Sequence, residues 1–257
     1  IGLDSLRNGE EMQAEKLDWQ IRSVFSSGCA GTFIFAWTDE WWRGGFEIED
    51  WDFGLTRRDR QVKPALRSVA KAFAESPFPI TKDLPAISVV CCSYNGSPTI
   101  RHTLDALLEV DYPNYEVIVI NDGSTDNLRE IVEEYPFRLF NTPNQGLSNA
   151  RNLGMEMAIG EIVAYIDDDA YPDKHWLNYL ANAFITTNHA GIGGPNIPPA
   201  GDGIIAESVA NAPGGPVHVL LTDDIAEHIP GCNMAFRRDV LQEVGGCDGK
   251  YRTAGDD

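Results

Sequence analysis

Three short runs of almost purely apolar residues constrain this chain more than anything else in it: Ile87–Cys92 (ISVVCC), Glu116–Ile120 (EVIVI) and Glu161–Ile166 (EIVAYI). None alternates apolar with polar, as a half-solvated strand does, and each is short for a buried helix. They read as strands covered on both faces, as in a parallel sheet. Helical patterns separate them. Ser97-Pro98 supplies an N-cap and a proline for the first helical position. Ile100, Leu104, Leu107 and Leu108 follow as one apolar stripe. Further helices are expected from Thr125 to Glu134, Leu147 to Ile159 and Lys174 to Thr187. This β-α alternation predicts an α/β protein, a doubly wound sheet with helices on both faces. In such sheets ligands bind outside the carboxyl ends of the strands.

The polar clusters fall at those ends. The third run stops at Asp167-Asp168-Asp169. On extended backbone Asp167 and Asp169 point one way and Asp168 the other. Two carboxylates in one place repel unless a cation lies between them. Oxygen ligands of this kind select Mg²⁺ or Mn²⁺, an ion able to bind a diphosphate and neutralise it as it leaves. A solvated acidic turn is the plain alternative. Tyr94-Asn95 follows the first run and Asp122 the second. An aromatic face can stack on a base, and a carboxylate can accept a base N–H. The bland readings are a packing tyrosine and an Asx turn. Residues 144–152 (NQGLSNARN) form a Gly-containing loop running into a helix. There Arg151 suits a phosphate or base edge, or is simply a surface arginine. Asp256-Asp257 closes the chain. A carboxylate held near a sugar hydroxyl can take its proton as that oxygen attacks; a frayed acidic terminus is the other reading.

Composition narrows the class. The chain has 257 residues, 43% hydrophobic and 23% charged, with net charge −19. Residues 1–82 carry 11 basic and 13 acidic side chains, and residues 83–257 carry 9 and 26. A nucleic-acid partner wants a basic face, so that class is excluded. No apolar run is long enough for a membrane span, and no signal peptide opens the chain. Starting at Ile1 rather than Met, it reads as a piece of a longer polypeptide. The five cysteines lack zinc spacing and imply reduced, mostly buried thiols in a reducing compartment. Three prolines crowd residues 76–86, and the boundary is placed there: residues 1–78, a linker at 79–86, and 87–257. The first part offers helices at Glu11–Phe25 and Pro64–Phe73 and a buried strand at Gly31–Trp37 (GTFIFAW). That is too little to close an independent core.

Taken together, ISVVCCSYNG, EVIVINDGSTD, NQGLSNARNLGMEMAIGEIVAYIDDD, GCNMAFRRDVLQEVGGCD and YRTAGDD, in this order, resemble the family-2 glycosyltransferases of the GT-A fold, a Rossmann-like nucleotide-diphospho-sugar transferase architecture. The resemblance implies that Cys92, Tyr94, Asn95, Asp122, Arg151 and Asp168 surround the nucleotide. It makes Asp167 and Asp169 the metal pair for Mg²⁺ or Mn²⁺, with Asp169 the direct ligand. Gly231, Cys232 and Asn233 would border the acceptor, and Asp257, with Asp256, would match the family's catalytic base. Cys92-Ser93 departs mildly from the usual Pro-Thr or Cys-Thr. The family continues past this motif, so the chain reads as incomplete at its carboxyl end. Residues 1–78 resemble the last βα units of a clan-A glycoside hydrolase (β/α)₈ barrel, through GTFIFAWTDEWW with its Trp37 and DFGLTRRDRQVKPAL. Hydrolysis needs two placed carboxylates, and the matching positions lie before Ile1.

The implied activity is inverting transfer from a nucleotide-diphosphate sugar, UDP-linked, to a glycan or lipid-linked hydroxyl. The implied location is cytoplasmic, at the inner face of the membrane in a longer protein. The rivals are a sugar-nucleotide binder without turnover, a fragment of a bifunctional hydrolase and transferase, and a nucleotidyltransferase. The last would want a basic Gly-rich phosphate loop, which the sequence lacks.

Overall fold

The computed structural model describes residues 1–76, 83–197, 203–210, 219–220 and 225–252. The chain divides into two compact units, Ile1–Lys82 and Asp83–Asp257. In the first, α1 (Ser5–Asn8) and α2 (Glu10–Ser26) precede a hairpin of β1 (Trp42–Arg43) and β2 (Phe46–Glu47), and α3 (Pro64–Glu75) follows. Ala14, Leu17 and Ile21 of α2 pack on Ala65, Val69 and Ala72 of α3, with Leu55 completing the cluster. The unit also holds a fully buried ion pair: Lys63 Nζ sits 2.7 Å from Asp39 and donates to Ser5 Oγ at 2.8 Å.

The strand expected at Gly31–Trp37 is not a regular or buried strand. Its backbone does exchange some ladder-like bonds: Phe35 N–H to Ile1 O, Ala36 N–H to Phe53 O and Leu55 N–H to Ala36 O. Yet only Ala36 of the run is buried, while Phe33 is 92% and Trp37 62% exposed. The apolar run suggested cover on both faces, and the described residues of this unit do not provide it. Aromatic contacts hold it instead, with Phe35 stacked on Trp41 at 4.9 Å.

The second unit is built on one six-stranded sheet. In chain order its elements are β3 (Ile87–Ser93), α4 (Ile100–Leu108), β4 (Tyr115–Asp122), α5 (Leu128–Val132), β5 (Arg138–Thr142), α6 (Leu147–Met157), β6 (Ile162–Asp167), α7 (Trp176–Thr186) and β7 (Gly191–Gly193). Then come α8 (Gly203–Ala210), the β8–β9 pair (Val219–Leu220, Ala226–His228), β10 (Asn233–Arg237) and α9 (Arg238–Glu243). The sheet order is β5-β4-β3-β6-β10-β7. The first four strands in that order are parallel; β10 runs antiparallel to both β6 and β7.

Strand residues alternate between two cores, as the two-residue side-chain period requires. Val89, Cys91, Val117, Val119, Ala164 and Ile166 meet α4, α5 and α7 on one face. Val90, Ile118, Ile120, Val163 and Tyr165 meet Ala150 and Met155 of α6 on the other. Three helical expectations are corrected. Ser97 and Pro98 sit in a turn, and α4 begins at Ile100 after Thr99. Leu108 is 48% exposed, and Thr103 takes its place on the buried face. The Thr125–Glu134 helix contracts to Leu128–Val132, because Asp126 holds the backbone ahead of it: one carboxylate oxygen accepts from Leu128 N–H and the other from Ser97 N–H. Of the five thiols only Cys91 is buried; Cys29 is exposed and the other three are intermediate.

Candidate active site at the carboxyl ends of the strands

Parallel pairing brings three separate pieces of sequence to one edge. Cys92 lies level with Ile120 on one side and Asp167 on the other, and Ser93 with Asn121. The loops that leave these strands are stitched by side chains that accept main-chain N–H groups. Ser124 Oγ accepts from Asn95 N–H at 2.9 Å, and Asn95 Oδ1 from Thr125 N–H at 2.8 Å. Asn121 Oδ1 accepts from Ser124 N–H at 2.9 Å. Asn95 itself has φ +57°, the left-handed conformation asparagine tolerates. The stitching leaves the Tyr94 ring 54% exposed above the sheet edge.

Asp122 is 4% exposed and turned inward. One carboxylate oxygen accepts from Gln145 N–H and the other from Gly146 N–H, each at 2.8 Å, and Thr142 Oγ1 adds a contact at 3.3 Å. It therefore fixes the loop that precedes α6. That helix carries Arg151, whose side chain is 4% exposed rather than on the surface. Its guanidinium lies 3.8 Å from Asp167 and over the Tyr165 ring at 5.9 Å. A Cβ on Gly231 would run into the guanidinium, so a glycine there lets the two approach.

The Asp triplet departs from the extended geometry expected of it. β6 ends at Asp167, and Asp168-Asp169 lie in a turn in which Ala170 N–H bonds back to Asp167 O at 3.3 Å. The i, i+2 argument for a common direction therefore does not hold. Asp168 turns toward β3, where Ser93 Oγ donates to it and Gly96 leaves room for it. Burial there, and the neighbouring Asp169 carboxylate, raise its pKa. Asp167 is 41% exposed, and Asp169 is exposed with no hydrogen-bond partner among the described residues. Burial also pushes the Cys92 and Cys232 thiols up, away from thiolate chemistry at neutral pH.

On the β10 side, Asn196 Nδ2 donates to Cys232 Sγ. Asn233 Oδ1 accepts from the Trp176 indole at 2.9 Å, and its amide donates to Pro195 O at 3.1 Å. Asp256 and Asp257 lie outside the described residues. Sequence reasoning passed over Asn121, Ser124, Asp126 and Asn152; their signal was only the density of Asn, Asp and Ser just past each strand.

Two carboxylates on one turn suit a hard divalent cation, which Mg²⁺ sites commonly bind through one or two carboxylates together with water and substrate phosphates. Among the described residues no group of three or more His, Cys, Asp or Glu that could hold a metal ion gathers; Asp167 and Asp169 offer hard carboxylate oxygens at the strand end. The donor set fits the ion.

A mostly parallel sheet with acidic and aromatic residues at its carboxyl edge defines an α/β protein of the class whose ligands bind at the carboxyl ends of the strands. The profile of glycosyl transferase family 2 matches residues 88–245, and the chain belongs to that family. It is 30% identical over 192 residues to the probable glycosyltransferase YdaM of Bacillus subtilis, covering 66% of this chain and 44% of YdaM. It is 29% identical over 182 residues to glycosyltransferase AglE of Haloferax volcanii, covering 65% of this chain and 57% of AglE. The crystal structure of S. aureus TarS residues 1–349 superposes with a TM-score of 0.51 at 24% identity, covering 66% of this chain and 52% of that one. The chain thus spans about half the length of these relatives. No helix among the described residues is long and apolar enough to cross a membrane.

Proposed function

We propose that the second unit is a GT-A glycosyltransferase module that moves a sugar, with inversion, from a UDP-linked donor to a glycan or lipid-linked hydroxyl. The observation that carries this reading is the half-exposed Asp167 at the end of β6 and the exposed Asp169 in the turn just past it, next to the strand that leads into Tyr94, in a chain of glycosyl transferase family 2. Tyr94 stacks on the base, with Cys92 and Asn95 lining the approach. Asp122 and Arg151 shape the base pocket, and Asp168, held by Ser93, belongs to the nucleotide side of the site. Asp167 and Asp169 would hold Mg²⁺ or Mn²⁺. When bound, that ion offsets the charge that develops on the leaving group. Gly231, Cys232 and Asn233 border the acceptor. Asp257, supported by Asp256, takes the acceptor hydroxyl proton onto a carboxylate oxygen as the hydroxyl oxygen attacks the anomeric carbon and the bond from that carbon to the diphosphate oxygen breaks, its electron pair leaving with UDP. For residues 1–78 we retain the barrel-end reading, which rests on sequence resemblance alone.

Calorimetric titration of UDP with and without Mn²⁺, beside Asp169→Ala, tests the reading. Metal-dependent binding lost in the variant is expected. Binding that ignores both the metal and the substitution would overturn the metal assignment. Binding without product from any UDP- or GDP-sugar would reduce the module to a sugar-nucleotide binder.

A further inference from the structure

Segment 246–252 lies along the amino-terminal half of α6 in reverse order, joined rung by rung. Asn152 Nδ2 donates to Cys247 O, and Cys247 N–H donates back to Asn152 Oδ1, both at 2.8 Å. Asn149 Nδ2 reaches Gly249 O at 3.4 Å, Ser148 Oγ donates to Tyr251 O, and Leu147 N–H donates to Arg252 O at 2.9 Å. The Arg252 guanidinium returns to Asn144 Oδ1 at 2.8 Å. The approach is built for contact. A Cβ on Gly246 would strike Asn152 Oδ1, and one on Gly146 would strike the Arg252 backbone; both glycines have positive φ, +73° and +92°.

These bonds do more than satisfy a loose loop. The segment is not in a strand or helix, so its N–H and C=O groups need partners from elsewhere. α6 donates to four of its carbonyls, those of Cys247, Gly249, Tyr251 and Arg252, and accepts from Cys247 N–H, while Asp248 accepts from Lys250 N–H and Tyr251 N–H within the segment; the Asn152 amide bonds in the paired way a neighbouring strand would. The seat is shared with the nucleotide edge, because Asp122 fixes the Gln145 and Gly146 N–H groups and Gly146 is packed against Arg252. The chain runs from Arg252 to Asp256 in four residues.

We propose that Asn152 is a positioning residue for the acidic pair that follows in sequence: it latches segment 246–252 to α6 and so fixes the chain as far as Arg252, four residues ahead of Asp256. This rests on the glycosyltransferase reading above, and on geometry the reading does not use. The two variants Asn152→Ala and Asn152→Asp separate bonding from bulk. The alanine removes both bonds. The aspartate keeps the shape but sets an oxygen against Cys247 O.

Both variants are expected to speed amide exchange across 247–252 at least tenfold, with the rest of α6 protected as before. Turnover is expected to fall at least tenfold while donor KM and UDP affinity stay within threefold. Should either variant fail to fold, Gly246→Ala strains the same latch from the opposite side and is read in the same way. Exchange unchanged in either variant overturns the latch. Turnover, UDP affinity and melting temperature falling together overturn positioning in favour of a purely structural role. The exchange and UDP-binding arms need no turnover, so they judge the latch separately. A parent protein inactive with every UDP- and GDP-sugar overturns the transferase reading, and the positioning role with it.

Discussion

Replacing Asp122 is the sharpest test of how the site edge is held. Its carboxylate is 4% exposed and accepts two main-chain N–H groups at 2.8 Å, those of Gln145 and Gly146. Asp122→Asn preserves the shape but turns one acceptor into a donor, so one of those N–H groups faces an N–H. An orphaned buried N–H costs about 1–3 kcal/mol, and a bond to a charged group contributes about 1.5–3. The expected loss is therefore about 2–3 kcal/mol. Asp122→Ala orphans both groups but admits water, which puts it at about 3–5 kcal/mol. For a unit of this size, 2–3 kcal/mol lowers the melting temperature by about 4–12 °C. Thermal unfolding followed by circular dichroism reads the shift, and amide exchange at Gln145 and Gly146 locates it. An asparagine variant melting within about 1 °C of the parent would refute the reasoning, as would an alanine variant no worse than the asparagine one.

Tyr94→Ala should weaken UDP binding about 5- to 150-fold, since base–aromatic stacking contributes about 1–3 kcal/mol. Tyr94→Phe should keep it, and neither should move the melting temperature, because the ring is exposed; calorimetry and a melt decide. Lys63→Met strands the buried Asp39 carboxylate and should cost about 3–5 kcal/mol, read as a lower urea midpoint from the tryptophans of the first unit; an unchanged midpoint would refute it. Glu116 is partly buried, yet bonds from Ser88 Oγ and Ile159 N–H and the Arg138 charge outweigh desolvation and lower its pKa from 4.5. A depressed folded pKa contributes stability above the unfolded value and loses it as pH falls through the folded one. The gap in melting temperature between the parent and Glu116→Gln should therefore be full above about pH 5.5 and close well below pH 4.5; a gap that widens toward acid would contradict the assignment.

The parallel half of the sheet was legible because its information is local. β3, β4 and β6 are continuous apolar runs, and their observed limits lie within a residue or two of those runs. β5 and β10 escaped because Arg138–Thr142 and Asn233–Arg237 are mixed sequences that become strands only by pairing with distant partners. Gly31–Trp37 erred the other way: it has the composition of a buried strand, but composition cannot say whether anything covers it. Among site residues the strand-end positions of Tyr94, Asp122 and Asp167 could be read from pattern. The burial of Arg151 could not, because its partner Asp167 and the glycine that admits it, Gly231, stand far apart in the chain. Asn152 was hidden by its chemistry: an exposed-looking helical asparagine becomes a backbone partner only when residue 247 arrives.

The placement of β10 between β6 and β7 has a consequence for synthesis. Among the described residues β7 pairs only with β10, so it does not cover the outer edge of β6. That edge is open from the moment Asp167 is made until Asn233–Arg237 is threaded beside it. At roughly 5–20 residues per second, the interval is roughly 4–14 s. Throughout it, a nascent chain with its four parallel strands already in sequence presents an unpaired row of N–H and C=O groups to its neighbours. Ribosome-bound chains ending before residue 233 should therefore be the species that recruit chaperones or pair with one another.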